Sequence, residues 1–167
     1  MTDQADASSS TATPSPKADP KHPFTLAIYI GGTGLKASVL DADGAMVADR
    51  VKIPTTYPLP PEKLVADLTK LVAPLPDAER ASAGFPGMVR AGHVLSAPHF
   101  STKHGPGSHV DEDLAKAWRG FDLAAALTTA LGRPTKVAND ADIQGAAVVR
   151  GDGLEVVITL GTGFGSA

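Results

Sequence analysis

The chain contains no cysteine, which removes disulfides and thiolate chemistry and leaves nothing that requires an oxidising compartment. It has no basic excess. Lys and Arg number 15 against 18 Asp and Glu, so the electrostatic footprint of a nucleic-acid or anionic-membrane binder is missing. No apolar run approaches the ~18 residues that cross a bilayer. Met1 to Lys21 is rich in Ser, Thr, Pro, Ala and Asp, without the apolar core of a secretory signal. Residues 1–22 read as a disordered leader that cannot bury enough surface to order itself. These absences point to a cytoplasmic protein with neither nucleic acid nor membrane as partner. What is present is 167 residues with 43% hydrophobic content, enough for one domain with a real core.

The rest of the chain is organised around Ile28 to Lys36. An apolar run, Phe24 to Ile30, stops at Gly31-Gly32-Thr33-Gly34, and a second, Leu35 to Leu40, ends in Asp41-Ala42-Asp43-Gly44. Strand, glycine turn, strand and Asp-Gly turn are a hairpin signature. Three glycines around one Thr permit positive φ and close approach to another molecule. Such a turn offers N–H groups and a hydroxyl to an anion, phosphate being the commonest candidate. The end of the chain repeats the arrangement: Leu154 to Leu160 reads as a strand, followed by a glycine turn from Gly161-Thr162-Gly163 to Gly165 and Ser166.

Between these turns the pattern alternates. Phe24–Ile30, Leu35–Leu40 and Ala45–Ile53 read as a three-stranded meander. Leu64, Val65, Leu68 and Leu71 fall at helical spacing within Glu62–Val72, with Pro61 suited to the first helical position. Ala81–Phe85 reads as a strand running into Pro86-Gly87, and Val89–Leu95 as a small hairpin around Ala91-Gly92. Phe100–Val110 reads as a polar loop, and Asp111–Trp118 as a short helix with an acidic first turn. Leu123–Leu131 is a helix capped by Asp122 and Gly132. Thr135–Ala138 is a strand, and Asn139-Asp140 caps a helix over Ala141–Val149. This order describes an α/β layer structure.

In this order, four motifs resemble the ROK family of sugar kinases and repressors, including its polyphosphate glucokinase branch. They are I-G-G-T-G-L-K at Ile30–Lys36, G-F-P-G at Gly84–Gly87, N-D-A-D at Asn139–Asp142 and L-G-T-G-F-G-S-A at Leu160–Ala167. The alternative is an unrelated nucleotide-binding α/β domain. The resemblance implies one actin-like ATPase (ribonuclease H-like) lobe of the sugar-kinase, hsp70 and actin superfamily. Its mixed sheet would hold an antiparallel meander followed by parallel strands flanked by helices. Residues 23–153 would form that lobe. Residues 154–167 would be the first strand and phosphate loop of a second lobe, which is otherwise missing.

The activity implied is phosphoryl transfer from ATP or polyphosphate, with Mg2+, to a hexose, the glucose 6-hydroxyl being favoured. A full-length form has the homodimer as an option. Asp140 matches the catalytic base; a carboxylate at a strand's C-terminal end points into the crevice where α/β ligands bind. Against this, Asn139 and Asp140 are both favoured helix caps. Asn139 and Asp140 would contact the sugar, with Gly84, Pro86 and Gly87 lining its pocket, unless Pro86 only stiffens a turn. Gly31, Gly32, Thr33 and Gly34, with Gly161, Thr162, Gly163 and Gly165, match two phosphate loops, or else two tight turns that touch nothing. Asp142, two residues beyond the matched base, reads as a carboxylate on the surface or behind the site residues.

One position departs from the family pattern D-I-G-G-T. Tyr29 stands where the family's aspartate organises magnesium, and a neutral phenol is a poor ligand for a hard cation. A non-catalytic sugar sensor or pseudokinase therefore stays open, although the leader lacks the helix-turn-helix of the family's repressors. His99, His104 and His109 match no recurring zinc spacing and read as a solvated loop, so no metal site is assigned. Trp118 and Phe121 read as core anchors. The chain alone is expected to be inactive, with Gly153–Ala167 its least stable segment.

Overall fold

The computed structural model describes residues 23–160 and 164–166. The expected leader and the turn at 161–163 lie outside them. The first hairpin forms where the apolar runs lie: β1 (Thr25–Ile30) pairs antiparallel with β2 (Gly34–Leu40), Ile30 opposite Leu35. Leu26, Ile28 and Ile30 alternate into the core, as a strand with one covered face requires. β3 (Val51–Pro54) is shorter than the expected Ala45–Ile53. The Asp41 carboxylate accepts from the Asp43 and Ala45 amides, and Gly44 takes φ 83°. That turn leaves Met46 with a single bridge to Leu40 before pairing resumes at Val51.

The chain then crosses through α1 (Pro61–Val72), whose Leu64, Leu68 and Leu71 are buried on one stripe. It returns as β4 (Arg80–Phe85), parallel to β1. A small hairpin, β5 (Val89–Arg90) and β6 (His93–Val94), precedes α2 (Glu112–Trp118) and α3 (Leu123–Leu131). Asp111 and Asp122 cap these helices by accepting from the Leu114 and Ala125 amides, and Gly132 closes α3 at φ 65°. β7 (Thr135–Asn139) adds parallel to β4, completing the order β3-β2-β1-β4-β7. This is the expected mixed sheet, a meander continued by parallel strands.

α4 (Asp140–Ala146) follows β7 with no intervening residue, starts one residue before the expected Ala141 and ends three before the expected Val149. Both the Val148 and Val149 amides fall back on the Gly145 carbonyl, a tightened last turn ahead of two β-branched residues. Beyond it Leu154–Val157 is not strand. Only β8 (Ile158–Leu160) forms, and it pairs with β9 (Phe164–Ser166) rather than with the main sheet. Gly165, expected in a turn, therefore stands on β9 opposite Thr159.

The core's aromatic centre lies directly behind the ends of β4 and β7. Phe85, Phe100 and Trp118 are fully buried with ring centroids 5.4 to 5.6 Å apart. The Trp118 indole donates to the Leu59 carbonyl at 3.0 Å, so its one polar atom is satisfied. Trp118 is thus a core anchor, as expected. No helix among the described residues is long and apolar enough to cross a membrane.

Candidate active site

Three parallel strands, β1, β4 and β7, end at the same edge of the sheet. Register places Tyr29 beside Gly84, Gly84 beside Ala138, and Phe85 beside Asn139. The residues that follow are Gly31–Gly34, Pro86-Gly87 and Asp140, so three of the four sequence motifs converge on one edge of the sheet. The carboxyl edge of parallel strands is where α/β proteins hold ligands.

The Gly31–Gly34 turn is closed by the Gly31 amide donating to the Gly34 carbonyl at 3.0 Å. Its other carbonyls are held from the segment after β3. The Thr55 hydroxyl donates to the Gly31 carbonyl and the Tyr57 hydroxyl to the Gly32 carbonyl, each at 2.7 Å. The Thr55 amide donates to the Thr33 carbonyl at 3.2 Å. In a trans peptide the N–H points opposite to the C=O, so the Gly32 and Thr33 amides are turned away from Thr55 and Tyr57. Neither meets an acceptor among the described residues. Two successive free amides beside an exposed Thr33 are the kind of donor set that backbone anion sites use.

Positive φ plays no part in this turn, contrary to the expectation from its glycines. Gly31 and Gly32 are needed for space, whereas a Cβ on Gly34 would stand at an ordinary 3.5 Å from the Ile53 carbonyl. A Cβ on Gly31 would meet the Tyr29 ring at 2.8 Å, and one on Gly32 would meet Pro106 at 2.9 Å and His99 at 3.1 Å.

In the Gly84–Gly87 loop the constraint falls on Gly87. Gly84 and Pro86 are buried. A Cβ on Gly84 would lie 3.6 Å from the Asp140 α-carbon, and one on Gly87 only 2.2 Å from the Ser96 carbonyl. Gly84 sits at ordinary contact distance from the Asp140 backbone, with room for a methyl group, whereas Gly87 has none. Asn139 joins this loop to the helix. Its Oδ1 accepts from the Ala141 amide at 2.8 Å and the Asp142 amide at 3.4 Å, while its Nδ2 donates to the Gly87 carbonyl at 2.8 Å. The cap of α4 is therefore Asn139, and the Asn139 amide group is engaged by protein on both sides. Asp140 is the first helical residue, half-buried, with one carboxylate oxygen accepting from the Ala141 amide at 3.0 Å. Its other oxygen faces no protein donor among the described residues. Asp142 is exposed.

Tyr29 is 41% exposed, with the Lys36 ammonium 5.4 Å from its ring centroid. Burial, and then the Asp140 carboxylate, push its phenol above the ordinary value, so it is neutral near pH 7. The residues around the turn do not fit a protein-held magnesium. Asp140 is the one carboxylate here, and no three His, Asp or Glu among the described residues group as a metal centre.

Sequence reasoning missed the Thr55 and Tyr57 clamp and the segment that packs on Gly32. The stretch Phe100–Val110 is not simply solvated: Phe100, Ser101, Thr102 and Gly105 are buried, and a Cβ on Gly105 would meet the Tyr57 ring at 3.2 Å. His104, Gly107 and His109 remain on the outside. Gly161, Thr162 and Gly163 lie outside the described residues, so the second phosphate loop is not placed.

Comparisons with known proteins agree with this fold. A model of the ROK family matches residues 25–167. A polyphosphate glucokinase of Mycobacterium tuberculosis is 30% identical over 148 residues, covering 84% of this chain and 51% of that enzyme. An N-acetylmannosamine kinase of Escherichia coli is 35% identical over 146 residues, covering 84% and 45%. Among solved structures, an inorganic polyphosphate/ATP-glucomannokinase from Arthrobacter sp. strain KM aligns with a TM-score of 0.68 and 35% identity, over 86% of this chain and 56% of that one. A glucokinase from Streptomyces griseus, in complex with glucose and AMPPNP, aligns with a TM-score of 0.63 and 28% identity over 86% and 43%. The chain spans about half the length of the curated relatives it matches.

Proposed function

Because the chain belongs to the ROK family, we propose that it supplies the acceptor-side lobe of a cytoplasmic hexose kinase. The reaction is transfer of a phosphoryl group from ATP or polyphosphate to a sugar hydroxyl, glucose O6 being the favoured acceptor. The observation that carries this reading is the convergence of the Gly31–Gly34 cradle, the Gly84–Gly87 loop and Asp140 at one sheet edge. The Gly32 and Thr33 amides take the donor's terminal phosphate, and Asp140, with an oxygen open to the crevice, takes the proton of the attacking hydroxyl. Asn139 acts by holding the sugar-side loop against α4. Residues 23–153 form this lobe and 154–167 open the second. With Tyr29 in place, the chain itself contributes positioning and hydrogen bonds rather than metal ligands.

The test is a coupled glucose 6-phosphate assay with ATP and with polyphosphate. It is run on this chain alone and on this chain joined to the second half of a polyphosphate glucokinase. Turnover in the joined protein, lowered ~10²-fold or more by Asp140→Asn, is the expected result. Equal turnover of the two proteins would refute the base. Tyr29 also favours a second reading, a sugar-binding module without turnover; glucose binding with no transfer from either donor would establish it.

A further inference from the structure

In a trans peptide the carbonyl of one residue and the amide of the next share a plane and point in opposite directions. The Gly31 carbonyl is therefore coupled to the Gly32 amide, and the Gly32 carbonyl to the Thr33 amide. The Thr55 hydroxyl holds the first plane through the Gly31 carbonyl, and the Tyr57 hydroxyl holds the second through the Gly32 carbonyl, each at 2.7 Å. The two planes do not need holding equally. Turning over the central peptide of a turn carries φ of the residue after it to positive values. Gly32 follows the first plane, and glycine takes such a φ at no steric cost. Thr33 follows the second, and a β-branched residue resists it. Thr55 thus restrains the plane that is otherwise free to turn over. A turned plane would put a carbonyl where the Gly32 amide stands, an acceptor that repels an anion in place of a donor that binds one.

The segment that does the holding is itself fixed. The Thr55 amide donates to the Thr33 carbonyl at 3.2 Å, which extends the β2–β3 ladder beyond the Gly34–Pro54 pair. The Tyr57 ring packs on Phe100 with centroids 6.3 Å apart. Leu59 is buried, and its carbonyl accepts from the Trp118 indole. Burial raises the Tyr57 phenol above its ordinary value, so it stays a donor near pH 7.

We propose that Thr55 is a positioning residue for the phosphoryl donor, its hydroxyl locking the Gly31–Gly32 peptide in the orientation that offers the Gly32 amide to phosphate, with Tyr57 as a lesser companion for Thr33. The inference rests on reading the turn as a phosphate cradle. Thr55 acts through Gly32 and makes no contact with the phosphate itself. Its contribution is preorganisation: an amide already aimed at the anion has no second orientation to give up on binding.

The experiment is a titration of the isotopically labelled chain with inorganic tripolyphosphate, followed by NMR at the Gly32 and Thr33 amides. In the parent chain both amides should shift with a single Kd. Thr55→Val keeps the branched shape and loses only the hydroxyl. It should weaken that Kd roughly tenfold, the upper end of what one neutral hydrogen bond contributes. The Gly32 amide signal should also broaden in the free variant, as its plane samples two orientations, and sharpen again at saturating tripolyphosphate. Thr55→Ser, which keeps the hydroxyl, should retain the parent Kd and a sharp Gly32 signal. Tyr57→Phe should weaken binding less than Thr55→Val and leave Gly32 sharp. Parent-like affinity in Thr55→Val would overturn the role of Thr55 while leaving the cradle intact. Equal weakening in Thr55→Ser and Thr55→Val would assign the effect to packing and reject the proposal, as would a larger loss in Tyr57→Phe than in Thr55→Val. No shift at Gly32 and Thr33 in the parent chain would overturn the cradle and this inference with it.

Discussion

At the scale of single residues, Asn139 and Asp140 separate two roles that the sequence left entangled. Both residue types cap helices well, so the N-D pair alone does not say which one caps. The structure gives the cap to Asn139, which also satisfies the Gly87 carbonyl. Asn139→Ala should therefore cost about 1 to 3 kcal/mol in urea denaturation, a lost cap plus an orphaned carbonyl. Asp140→Asn should change stability by no more than about 0.5 kcal/mol, the range of substitutions that break no such contact. A larger loss for Asp140→Asn than for Asn139→Ala would return the capping role to Asp140. Tyr29 supports a second test. Tyr29→Asp places two carboxylates at the strand ends, so Mn2+ added to the variant should broaden the Gly32–Gly34 amide signals, with much weaker broadening in the parent chain. Equal broadening in both would show that Tyr29 does not govern divalent-ion binding.

At the scale of elements, most of the order was legible because each element carries a local signal. Alternating apolar residues mark β1, the Leu64, Leu68 and Leu71 stripe marks α1, and Asp111, Asp122 and Gly132 stand at the helix ends they cap. What was not legible is long-range. Nothing in Thr55 or Tyr57 announces that their hydroxyls will hold the carbonyls of a turn more than twenty residues earlier. The packing of Pro106 and His99 on Gly32 likewise depends on Phe100 reaching the aromatic core. The helix caps also yield a pH prediction. Asp111 caps α2 and accepts from the Lys103 ammonium at 2.6 Å. That bond, then the Leu114 amide, hold its carboxyl below the ordinary value, and the same contact raises Lys103. A depressed folded-state carboxyl stabilises above its unfolded value and loses that contribution as pH falls through the folded one. Exchange protection of α2 amides should accordingly drop selectively below about pH 4. Asp111→Asn should remove this pH dependence; an identical acid profile in the variant would assign it to other carboxylates.

At the scale of the whole molecule, the proposed function makes the described residues one wall of a ligand crevice. Phosphoryl transfer depends on donor and acceptor being held in line, and effective positioning needs contacts from more than one side. The cradle, the Gly84–Gly87 loop and Asp140 all lie on the same sheet edge. The expected outcome is no glucose phosphorylation above background by the 167-residue chain, with either ATP or polyphosphate. The same partition predicts where the chain opens first. β1 and β2 are paired on both sides within a five-stranded sheet, and their apolar residues are covered. After α4, by contrast, Leu154 is 96% exposed, Val156 66% and Ile158 56%, and β8 pairs with β9 and with no strand of the main sheet. An apolar segment that buries so little has few contacts to lose on opening. Amides across Val156 to Ile158 should exchange at far lower opening free energy than those of Leu26–Ile30 and Ala37–Val39. Strong protection at Val156 to Ile158 in a monomer, or glucose turnover by that monomer, would contradict the one-wall reading. Protection that rises with protein concentration would mean instead that two copies cover each other's exposed apolar segment.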